Sequence, residues 1–502
     1  MKLKFASLIL CFLILISWLL VISSEMRTVS ALPEKYPKWQ YQTVGTTSSA
    51  AISGNGAYIV SSSSDGYLYL FRPDSNIPLD AVSIGGSAAI LEFSFYGVVV
   101  AAAFQNTVKL FTVNGSRLYP IASFTNNPGY SGGINSLSFS ADGRYLAIGT
   151  WLNTGYYRSS KSYVHVFDVL MNKILWSREI SAPDAYYAYD NVTVAISSDG
   201  NFIVAGSTWN KCVYLFSILS STPMIAYDTG GPVNSVSISS NGAYFIAGGN
   251  RIYYFSKNVN VPIWSRDLGR SIISTSLSSS AENVLACSDG GSIHLLTVNN
   301  TIIRSIVTYS NIRFVVFSGN DRGFLGMSSD KLFLYSLDLD GDPSTPQLEP
   351  LWSFTPGSSL TSSTISSDSR YVAVTSGNFL YILDATASPD FLTTKITFSN
   401  NSPTEGDAVT IVATIMNAGT LSSPPASISF YDDKGLIGRK TVDSLAPNSE
   451  ANVSILFYAS SEGIHTIKVV VDEFNLILES DETNNEAKVV LTVGSLEAKT
   501  EE

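Results

Sequence analysis

The residue types that most often carry catalysis or bind metals are scarce in this chain, and their spacing fits none of the common catalytic patterns. The three histidines, His165, His294 and His465, lie far apart, and no His-x-His, HExxH or Cys/His pattern typical of a zinc site is present. The Gly-x-Ser-x-Gly motif of serine hydrolases and the glycine-rich loop that binds nucleotide phosphates are also missing. We therefore predict that the protein is not an enzyme and has no catalytic, cofactor-binding or metal-binding residue.

Two acidic runs could supply the oxygen ligands that Ca²⁺ prefers. In Asp338–Asp342 the glycine stands fourth, whereas the EF-hand loop places it sixth, so we interpret this run as a solvated turn. Glu479–Asn485 has no EF-hand spacing either, and we interpret it as a polar hairpin between two strands. Calcium binding by the second run is left open.

Composition and charge exclude several classes of protein. Hydrophobic residues make up 45% and charged residues only 14% of the 502 residues, so the chain is far too apolar to be disordered. The 26 Tyr and 25 Phe residues favour β-strands over helices. The net charge is −11, and no Lys/Arg cluster occurs beyond the extreme N-terminus. We therefore exclude nucleic acid as a partner.

The N-terminus has the pattern of an export signal. Lys2 and Lys4 precede an apolar run from Phe5 to Ile22, and residues 29–31 are small enough for a cleavage site. This run is long for a signal peptide and just long enough to span a bilayer as a helix. We predict that residues 1–31 are a cleaved signal or an uncleaved membrane anchor, and that the rest of the chain is secreted or faces outward at the cell surface.

A repeated hairpin pattern dominates the chain up to residue 388. In each copy, apolar residues alternate with small polar ones and end on a serine, and a turn then leads to a second strand, which is the period-two pattern of β-structure. Asn-Gly and Asp-Gly pairs at these turns predict two-residue hairpin turns in which both central residues have positive φ. The five clearest copies are residues 52–62, 139–149, 196–206, 238–248 and 365–377.

Eight copies can be counted, mostly about 40 to 46 residues apart, and a third and fourth strand follow each hairpin. Such repeats are typical of β-propeller blades, with seven blades or an open solenoid as alternatives. The last copy stops after its third strand near Ala385, while Tyr36–Gln40 repeats the fourth-strand pattern at the other end of the chain. We predict that this N-terminal strand completes the last blade and closes an all-β, eight-bladed ring.

We assign residues 32–388 to this propeller, which resembles WD-repeat and quinoprotein-like (PQQ-like) propellers in architecture and repeat pattern. The Gly-His and Trp-Asp pairs of WD repeats are absent. Trp176, Trp264 and Trp352, in the fourth strands of their copies, look like the docking tryptophans of quinoprotein blades. The resemblance implies, as the alternative function, a quinone-dependent dehydrogenase-like or hydrolytic propeller enzyme. The adjacent cysteine pair that contacts the quinone in that family is absent here.

The pattern changes after residue 388. Residues 389–494 contain alternating strands over the length of a seven-stranded immunoglobulin-like β-sandwich, and residues 495–502 form a polar tail. Residues 417–419 (Asn-Ala-Gly), after a long strand, and the run 479–485 resemble motifs of the CARDB family, named after a cell-adhesion-related domain of exported prokaryotic proteins. The resemblance implies a C-terminal adhesion or spacer module.

One sector of the predicted ring departs from the repeat. Copy three is enlarged in the loop between its second and third strands and in its exit loop, and these two loops lie at the same end of a blade. Aromatic residues in these loops and in the flanking segments could stack on sugars or anchor a protein loop, or could instead pack on one another. The candidate partner-binding residues are Tyr130, Trp151, Tyr156, Tyr157, Tyr186, Tyr187, Tyr189 and Trp209.

The sequence as a whole predicts a non-catalytic binding or scaffold protein that is exported or held at the cell surface. The propeller is predicted to recognise a surface protein or a glycan, and the CARDB-like domain to act as an adhesion or spacer module. These features predict the class of partner, and fold alone is compatible with many functions.

Overall fold

A computed structural model describes most of the chain from residue 35 onward. The described residues form 39 β-strands and no helix, so within them no helix could cross a membrane. The N-terminal apolar run lies outside this part of the chain. The described residues are 35–126, 131–153, 160–181, 190–307, 311–337, 350–385, 389–419, 422–474, 477, 479 and 484–495.

Eight four-stranded antiparallel sheets form the blades of a propeller, and strands within each blade follow one another from the inner strand outward. Blades 1 to 4 consist of β2 (Thr47–Ile52), β3 (Ile59–Ser63), β4 (Tyr67–Phe71) and β5 (Asp80–Ser83); β6 (Ile90–Phe93), β7 (Val99–Phe104), β8 (Thr107–Asn114) and β9 (Arg117–Thr125); β10 (Ser131–Phe139), β11 (Tyr145–Asn153), β12 (Ser160–Asp168) and β13 (Lys173–Glu179); and β14 (Val192–Ile196), β15 (Phe202–Ser207), β16 (Cys212–Ser217) and β17 (Ile225–Asp228).

Blades 5 to 8 continue the same order, and the last blade takes its outermost strand, β1, from the N-terminal end of the described chain. They consist of β18 (Val233–Ile238), β19 (Tyr244–Gly249), β20 (Ile252–Ser256) and β21 (Trp264–Arg266); β22 (Ile272–Leu277), β23 (Asn283–Ser288), β24 (Ser292–Thr297) and β25 (Ile302–Val307); β26 (Phe314–Phe317), β27 (Gly323–Met327), β28 (Leu332–Ser336) and β29 (Trp352–Phe354); and β30 (Leu360–Ile365), β31 (Tyr371–Ser376), β32 (Phe379–Asp384) and β1 (Trp39–Gln42).

The eight blades close into a ring. β1 pairs antiparallel with β32, from Trp39 opposite Ile382 to Gln42 opposite Phe379. The inner strand of blade 1, β2, contacts those of both blade 2 and blade 8, so no inner strand is left at an edge. The predicted eight-bladed propeller, with its N-terminal strand completing the last blade, is therefore confirmed, and the seven-bladed and solenoid alternatives are wrong.

The two ends of the ring differ, and we name them by what they carry. The turn face carries the connections between first and second strands, such as residues 54–57, and those between third and fourth strands. The loop face carries the connections between second and third strands, such as residues 64–66, and those from one blade to the next, such as residues 43–46.

A buried serine fixes every hairpin turn on the turn face. In blade 3, Ser140 Oγ accepts a hydrogen bond from the backbone N–H of Tyr145 (3.0 Å) and donates one to Asp142 Oδ1 (2.6 Å). The N–H of Ser140 bonds the carbonyl of Tyr145 and that of Gly143 bonds the carbonyl of Ser140. The same serine Oγ accepts the N–H five residues later in all eight blades, at Ser53, Ser94, Ser140, Ser197, Ser239, Ser278, Ser318 and Ser366.

The predicted two-residue turn with two positive φ angles is wrong. The loop is longer, and in this turn of blade 3 only Gly143 (φ 73°) has positive φ. The Asp142 carboxylate accepts hydrogen bonds from Ser140 Oγ and from the backbone N–H of Arg144, and so holds the turn on both sides of Gly143. Blades 6 to 8 lack this glycine, yet Ala281, Asp321 and Ser369 adopt positive φ at the same place. The serine hydroxyl therefore preserves the turn even where the Asn-Gly or Asp-Gly pair is lost.

Tryptophans of the fourth strands join neighbouring blades. Trp176 Nε1 donates to the carbonyl of Ile218 (2.8 Å) in the next blade, and Trp264 Nε1 donates to Val298. Trp39 in β1 makes the same bond to Pro73 (2.9 Å) across the point of ring closure. Together with apolar clusters that span adjacent blades, these bonds give the tryptophans a packing role.

The C-terminal region is a seven-stranded β-sandwich with an apolar core, as predicted for an immunoglobulin-like domain. Its two sheets have the orders β33-β34-β37 and β36-β35-β38-β39. The core between them includes Phe391, Ile411, Phe430, Ile467 and Leu491, all buried. The strands are β33 (Phe391–Phe398), β34 (Ala408–Asn417), β35 (Ala426–Asp432), β36 (Gly435–Val442), β37 (Glu450–Tyr458), β38 (Gly463–Val471) and β39 (Glu486–Val493).

Candidate functional site

Blade 3 extends beyond its neighbours on the loop face. Strands β11 and β12 have nine residues each, whereas β15 and β16 of blade 4 have six. The additional pairs run from Trp151 opposite Ser162 to Asn153 opposite Ser160. Three residues at about 3.3 Å each lengthen this hairpin by about 10 Å. The sector singled out in the sequence is therefore a raised edge of the ring.

Trp151 packs on the neighbouring strand at the base of this extension. The residue is half-buried, and its indole covers Gly133, where a Cβ would lie 2.5 Å from Nε1. The indole of Trp151 leaves no room for a side chain at position 133, so this position requires glycine. Trp151 also accepts a hydrogen bond at its carbonyl from the buried Asn126 side chain (3.3 Å). Trp151 thus has packing and hydrogen-bond contacts within the propeller, and its part in partner binding stays a prediction.

Trp209 is exposed and held by a buried carboxylate. Its side chain is 48% exposed, and its backbone N–H donates to Asp190 Oδ1 (3.0 Å). Asp190 is 2% exposed and also accepts hydrogen bonds from Ser207 Oγ (2.7 Å) and Thr208 Oγ1 (3.0 Å). Because three donors converge on one buried carboxylate, the loop that presents Trp209 has little freedom to move.

The other six candidate residues lie outside the described residues: Tyr130, Tyr156, Tyr157, Tyr186, Tyr187 and Tyr189. The structure therefore places only Trp151 and Trp209 of the predicted patch. Their use in partner binding stays a prediction.

A buried histidine supports the blade-3 extension from below. His165 is 7% exposed, with Nε2 3.1 Å from Thr150 Oγ1 and Nδ1 2.7 Å from Ser177 Oγ. Burial lowers the pKa of His165 to about 4, so the imidazole is neutral at neutral pH. Two hydroxyl partners and a neutral ring are consistent with a structural role.

No metal centre was found in the part of the chain that the structure describes: nowhere there do three His, Cys, Asp or Glu side chains come together as ligands would. The run 338–342, interpreted as a solvated turn, lies wholly outside the described residues, so that interpretation stays a prediction.

The described residues of the run 479–485 tie together the base of the sandwich. Glu479 is 6% exposed; its Oε2 accepts the N–H of Phe391, where β33 begins, and its Oε1 accepts Asn485 Nδ2 (3.0 Å). Asn417, of the Asn-Ala-Gly motif, accepts the N–H of Asp390 at Oδ1 (3.1 Å). Both motifs thus hold the first residues of the domain. Residues 480–483 lie outside the described residues, and calcium binding there stays open.

A cavity not anticipated from the sequence opens on the loop face where the ring closes. Its mouth has a volume of about 560 Å³ and leads into the central channel, where a second cavity of about 480 Å³ lies between the inner strands of blades 1, 2, 7 and 8. The two share Ser48, Ala89 and Thr361. The mouth is lined by small and hydroxyl-bearing residues: Thr46, Thr47, Ser48, Ala89, Ser358, Ser359, Thr361 and Gly377.

One carboxylic acid lines the channel cavity. Glu92, on β6, accepts a hydrogen bond from the backbone N–H of Phe139 on the inner strand of the next blade. Burial raises the pKa of Glu92 to about 7. A sequence signal existed, since Glu92 is the single ionisable residue in the eight inner strands, which are all described. The signal is visible when the inner strands are aligned on the serine that follows each of them.

Comparisons with known proteins match both parts of the chain. Residues 388–489 match the family model CARDB, and residues 119–154 and 186–217 match that of the WD domain, G-beta repeat. Among solved structures, the C-terminal WD40 domain of Sif2 is similar with a TM-score of 0.57 at 11% identity, over 70% of this chain and 99% of that one. A chain in a structure of the mitotic checkpoint complex has a TM-score of 0.46 at 14% identity, over 59% of this chain and 86% of that one. Among curated proteins, none matches the chain significantly.

These findings confirm the WD-repeat and CARDB resemblances, whereas the quinoprotein-like resemblance stays a prediction. At 11% identity, the likeness to the Sif2 domain shows the fold alone. A WD-repeat propeller joined to a CARDB domain fits a binding or scaffold role.

Proposed function

We propose that this chain is an exported, non-catalytic binding protein, secreted or held at the cell surface, whose propeller engages a surface protein or a glycan through its loop face. The observation that carries the proposal is that both chain connections of the propeller lie on the turn face. Among the described residues, the loop face, including the raised sector of blades 3 and 4, carries only connections within the propeller.

The N-terminal connection enters on the turn face. Lys35 N–H donates to the carbonyl of Ser353 (2.7 Å) and Lys38 N–H to that of Ile382 (2.7 Å), just before β1 begins. β1 then runs from the turn face to the loop face, because Trp39 lies opposite Ile382 near the end of β32. The described chain therefore enters the propeller on the turn face, at Lys35 and Lys38.

The connection to the sandwich leaves from the same face. β32 ends at Asp384, and the N–H of Ala385 donates to the carbonyl of Arg370 (2.7 Å), in the turn between β30 and β31. The sandwich begins a few residues later, with β33 at Phe391. In a protein held at its N-terminus, or attached through the CARDB domain, both connections would thus leave the propeller on the face opposite the loop face.

The raised sector supplies a surface suited to recognition. An exposed tryptophan on a rigid loop can bury a large apolar area without losing much conformational entropy, and aromatic anchors dominate many binding interfaces. Trp209 has both properties, with 48% of its side chain exposed and its loop fixed by Asp190. Indole also stacks on sugar rings, so the partner is proposed as either a protein surface or a glycan.

The test measures binding of the purified chain to envelopes isolated from the source cells, and to arrayed glycans. Trp209→Ala should reduce binding at least ten-fold, since hot-spot aromatics typically contribute about 2 kcal/mol or more. Leu219→Ala is the matched control, because Leu219 is 88% exposed in the same blade but on the turn face.

Thermal unfolding of both variants should match the unmodified chain, so that lost binding reports the surface and not the fold. Equal binding by Trp209→Ala and the unmodified chain would contradict the proposed surface. A chromophore retained after incubation with quinone would instead favour the enzyme alternative.

A further inference from the structure

We propose that the central channel is a binding site for a small primary ammonium ion, with Glu92 as its counter-ion and the loop-face mouth as its entrance. The site is separate from the raised sector of blades 3 and 4, and it does not depend on the proposed function. It rests on the charge, the hydrogen bonds and the shape of the channel.

The lining of the channel cavity contains one charge-bearing residue, Glu92, and no opposite charge. The cavity is bordered by β2, β6, β26 and β30, and Phe139 of β10 bonds the Glu92 carboxylate; among these strands only β6 has a titratable residue, Glu92 itself. The remaining inner strands, β14, β18 and β22, have no titratable residue either. Burying a carboxylate without a counter-charge is costly, so a cation that enters the cavity would be stabilised by it.

The carboxylate is not needed to complete the ring. In other blades a serine at the same register makes the equivalent bond: Ser138 Oγ accepts the N–H of Ile196 (3.2 Å), and Ser237 Oγ accepts that of Leu277 (3.0 Å). Blade 2 places a longer, ionisable side chain where a hydroxyl suffices. The additional atoms and charge of Glu92 are therefore available for a purpose other than joining two blades.

A second polar group in the same cavity has no partner. Ser363, on β30, is 7% exposed, and its Oγ makes no hydrogen bond within the described structure. At the same register, blades 2, 3 and 4 have Leu91, Leu137 and Val194, all buried and apolar. Leaving a buried hydroxyl unpaired costs about 1–3 kcal/mol, and an N–H donor of a bound ligand would remove this cost.

The rest of the lining selects the class of ligand. No basic side chain borders the cavity, which disfavours phosphates and carboxylates. The half-buried ring of Phe314 and the side chain of Val316 offer an apolar surface for a carbon chain, and an aromatic face also attracts cations. A volume of about 480 Å³ falls in the range of small-molecule sites. An ammonium group has three N–H donors, which suits a cavity lined by one carboxylate and several hydroxyls.

Binding should be linked to the ionisation of Glu92. Burial raises the pKa of Glu92 to about 7, so a large part of the carboxyl groups is protonated at neutral pH. An ammonium ion favours the charged carboxylate and should release a proton on binding. Affinity is therefore expected to rise as the pH increases from about 6 to 8 and to level off above.

The experiment is calorimetric titration of the full chain with putrescine and with 1,4-butanediol, an uncharged molecule of the same length. Putrescine should bind, and butanediol should bind at least ten-fold more weakly. Near pH 7, the heat of putrescine binding should depend on the ionisation enthalpy of the buffer, which reports proton release. Glu92→Gln should weaken putrescine binding at least ten-fold and abolish the buffer dependence, while the amide can still accept the Phe139 N–H.

Two further variants keep the outcome interpretable. Glu92→Ser installs the residue that other blades use at this register, so it should preserve the fold and still lose putrescine. Ser138→Ala changes the same register in the next blade without touching the charge, and should bind putrescine as the unmodified chain does. The proposal is overturned if putrescine does not bind, if butanediol binds equally well, or if Glu92→Gln and Glu92→Ser keep the original affinity.

Discussion

The turn face and the loop face are built from the same strands, yet they differ in how strictly the blades repeat. On the turn face, one serine hydroxyl fixes the hairpin in each of the eight blades, even in the three that lack the glycine. On the loop face, blade 3 is extended, blade 4 holds Trp209 on a buried aspartate, and the point of ring closure opens into a cavity. The repeat thus maintains the ring, and departures from the repeat mark the places where a ligand or partner could be accommodated.

The central channel follows the same rule at the level of a single residue. Aligned on their terminal serines, the inner strands place small, hydroxyl-bearing or aliphatic side chains at the register of Glu92, as at Ala51, Ser138 and Thr364. Glu92 is the exception, and it lines the cavity into which the loop-face mouth opens. At this register, Glu92 therefore differs from the residues of the other seven inner strands in carrying a charge.

The largest expected effect is a loss of stability in acid that arises in blade 3, through His165. The folded-state pKa of His165, about 4, lies below the value of 6.5 for an exposed histidine, so the unfolded chain takes up a proton first as the pH falls. His165 should therefore lower the free energy of unfolding as the pH falls from 6.5 to 4, by about 3 kcal/mol at most. Denaturant unfolding of the unmodified chain and of His165→Gln across this range checks this, and an unchanged difference between the two curves would contradict it.

The next effect tests the uniformity of the turn face. Ser197→Ala removes the acceptor of the Phe202 N–H and the donor to Asp199, and should lower the free energy of unfolding by about 2 kcal/mol. The same substitution at Ser53 or Ser239 should have a similar effect, because each hydroxyl accepts the equivalent backbone N–H and donates to an asparagine carbonyl in place of the aspartate. Urea unfolding measures this, and a several-fold difference among the three serines would show that the turns are not equivalent.

A matched control is the adjacent exposed serine. Ser198→Ala should change stability by less than about 0.5 kcal/mol. A loss as large as that of Ser197→Ala would mean that the buried hydroxyl is not the source of the effect.

The smallest effect concerns the junctions between blades. Trp176→Phe keeps an aromatic ring and removes the indole N–H that bonds the carbonyl of Ile218, so it should lower the free energy of unfolding by about 1 kcal/mol. Trp264→Phe should have a similar effect through Val298. Calorimetric unfolding measures this loss. Substitution of the same tryptophans by alanine also removes the packed ring and should lower the free energy of unfolding clearly more, which separates the lost hydrogen bond from lost packing.

The sequence predicted the ring well because its signals are local and repeated: alternation, a terminal serine and a turn, eight times over. The turn type was predicted wrongly, since the side-chain bonds of Ser140 and Asp142 that set it depend on atoms that a residue pattern does not show. The burial of Asp190 beneath the loop of Trp209 was not predicted either, because a residue pattern does not show which loop carboxylate is enclosed. Which side of an inner strand faces the channel follows from ring closure, so Glu92 could not be singled out from alternation alone.

The way β1 pairs with β32 also determines how the ring would respond to a pulling force. The start of β1 and the end of β32 lie side by side, with Trp39 opposite Ile382. Tension between the N-terminal segment and the sandwich would therefore load the hydrogen bonds of this pair one after another, beginning at Lys38, instead of all together in shear. Blade 8 is expected to unzip from the turn face at low force, with the bonds beside the loop-face mouth the last to break.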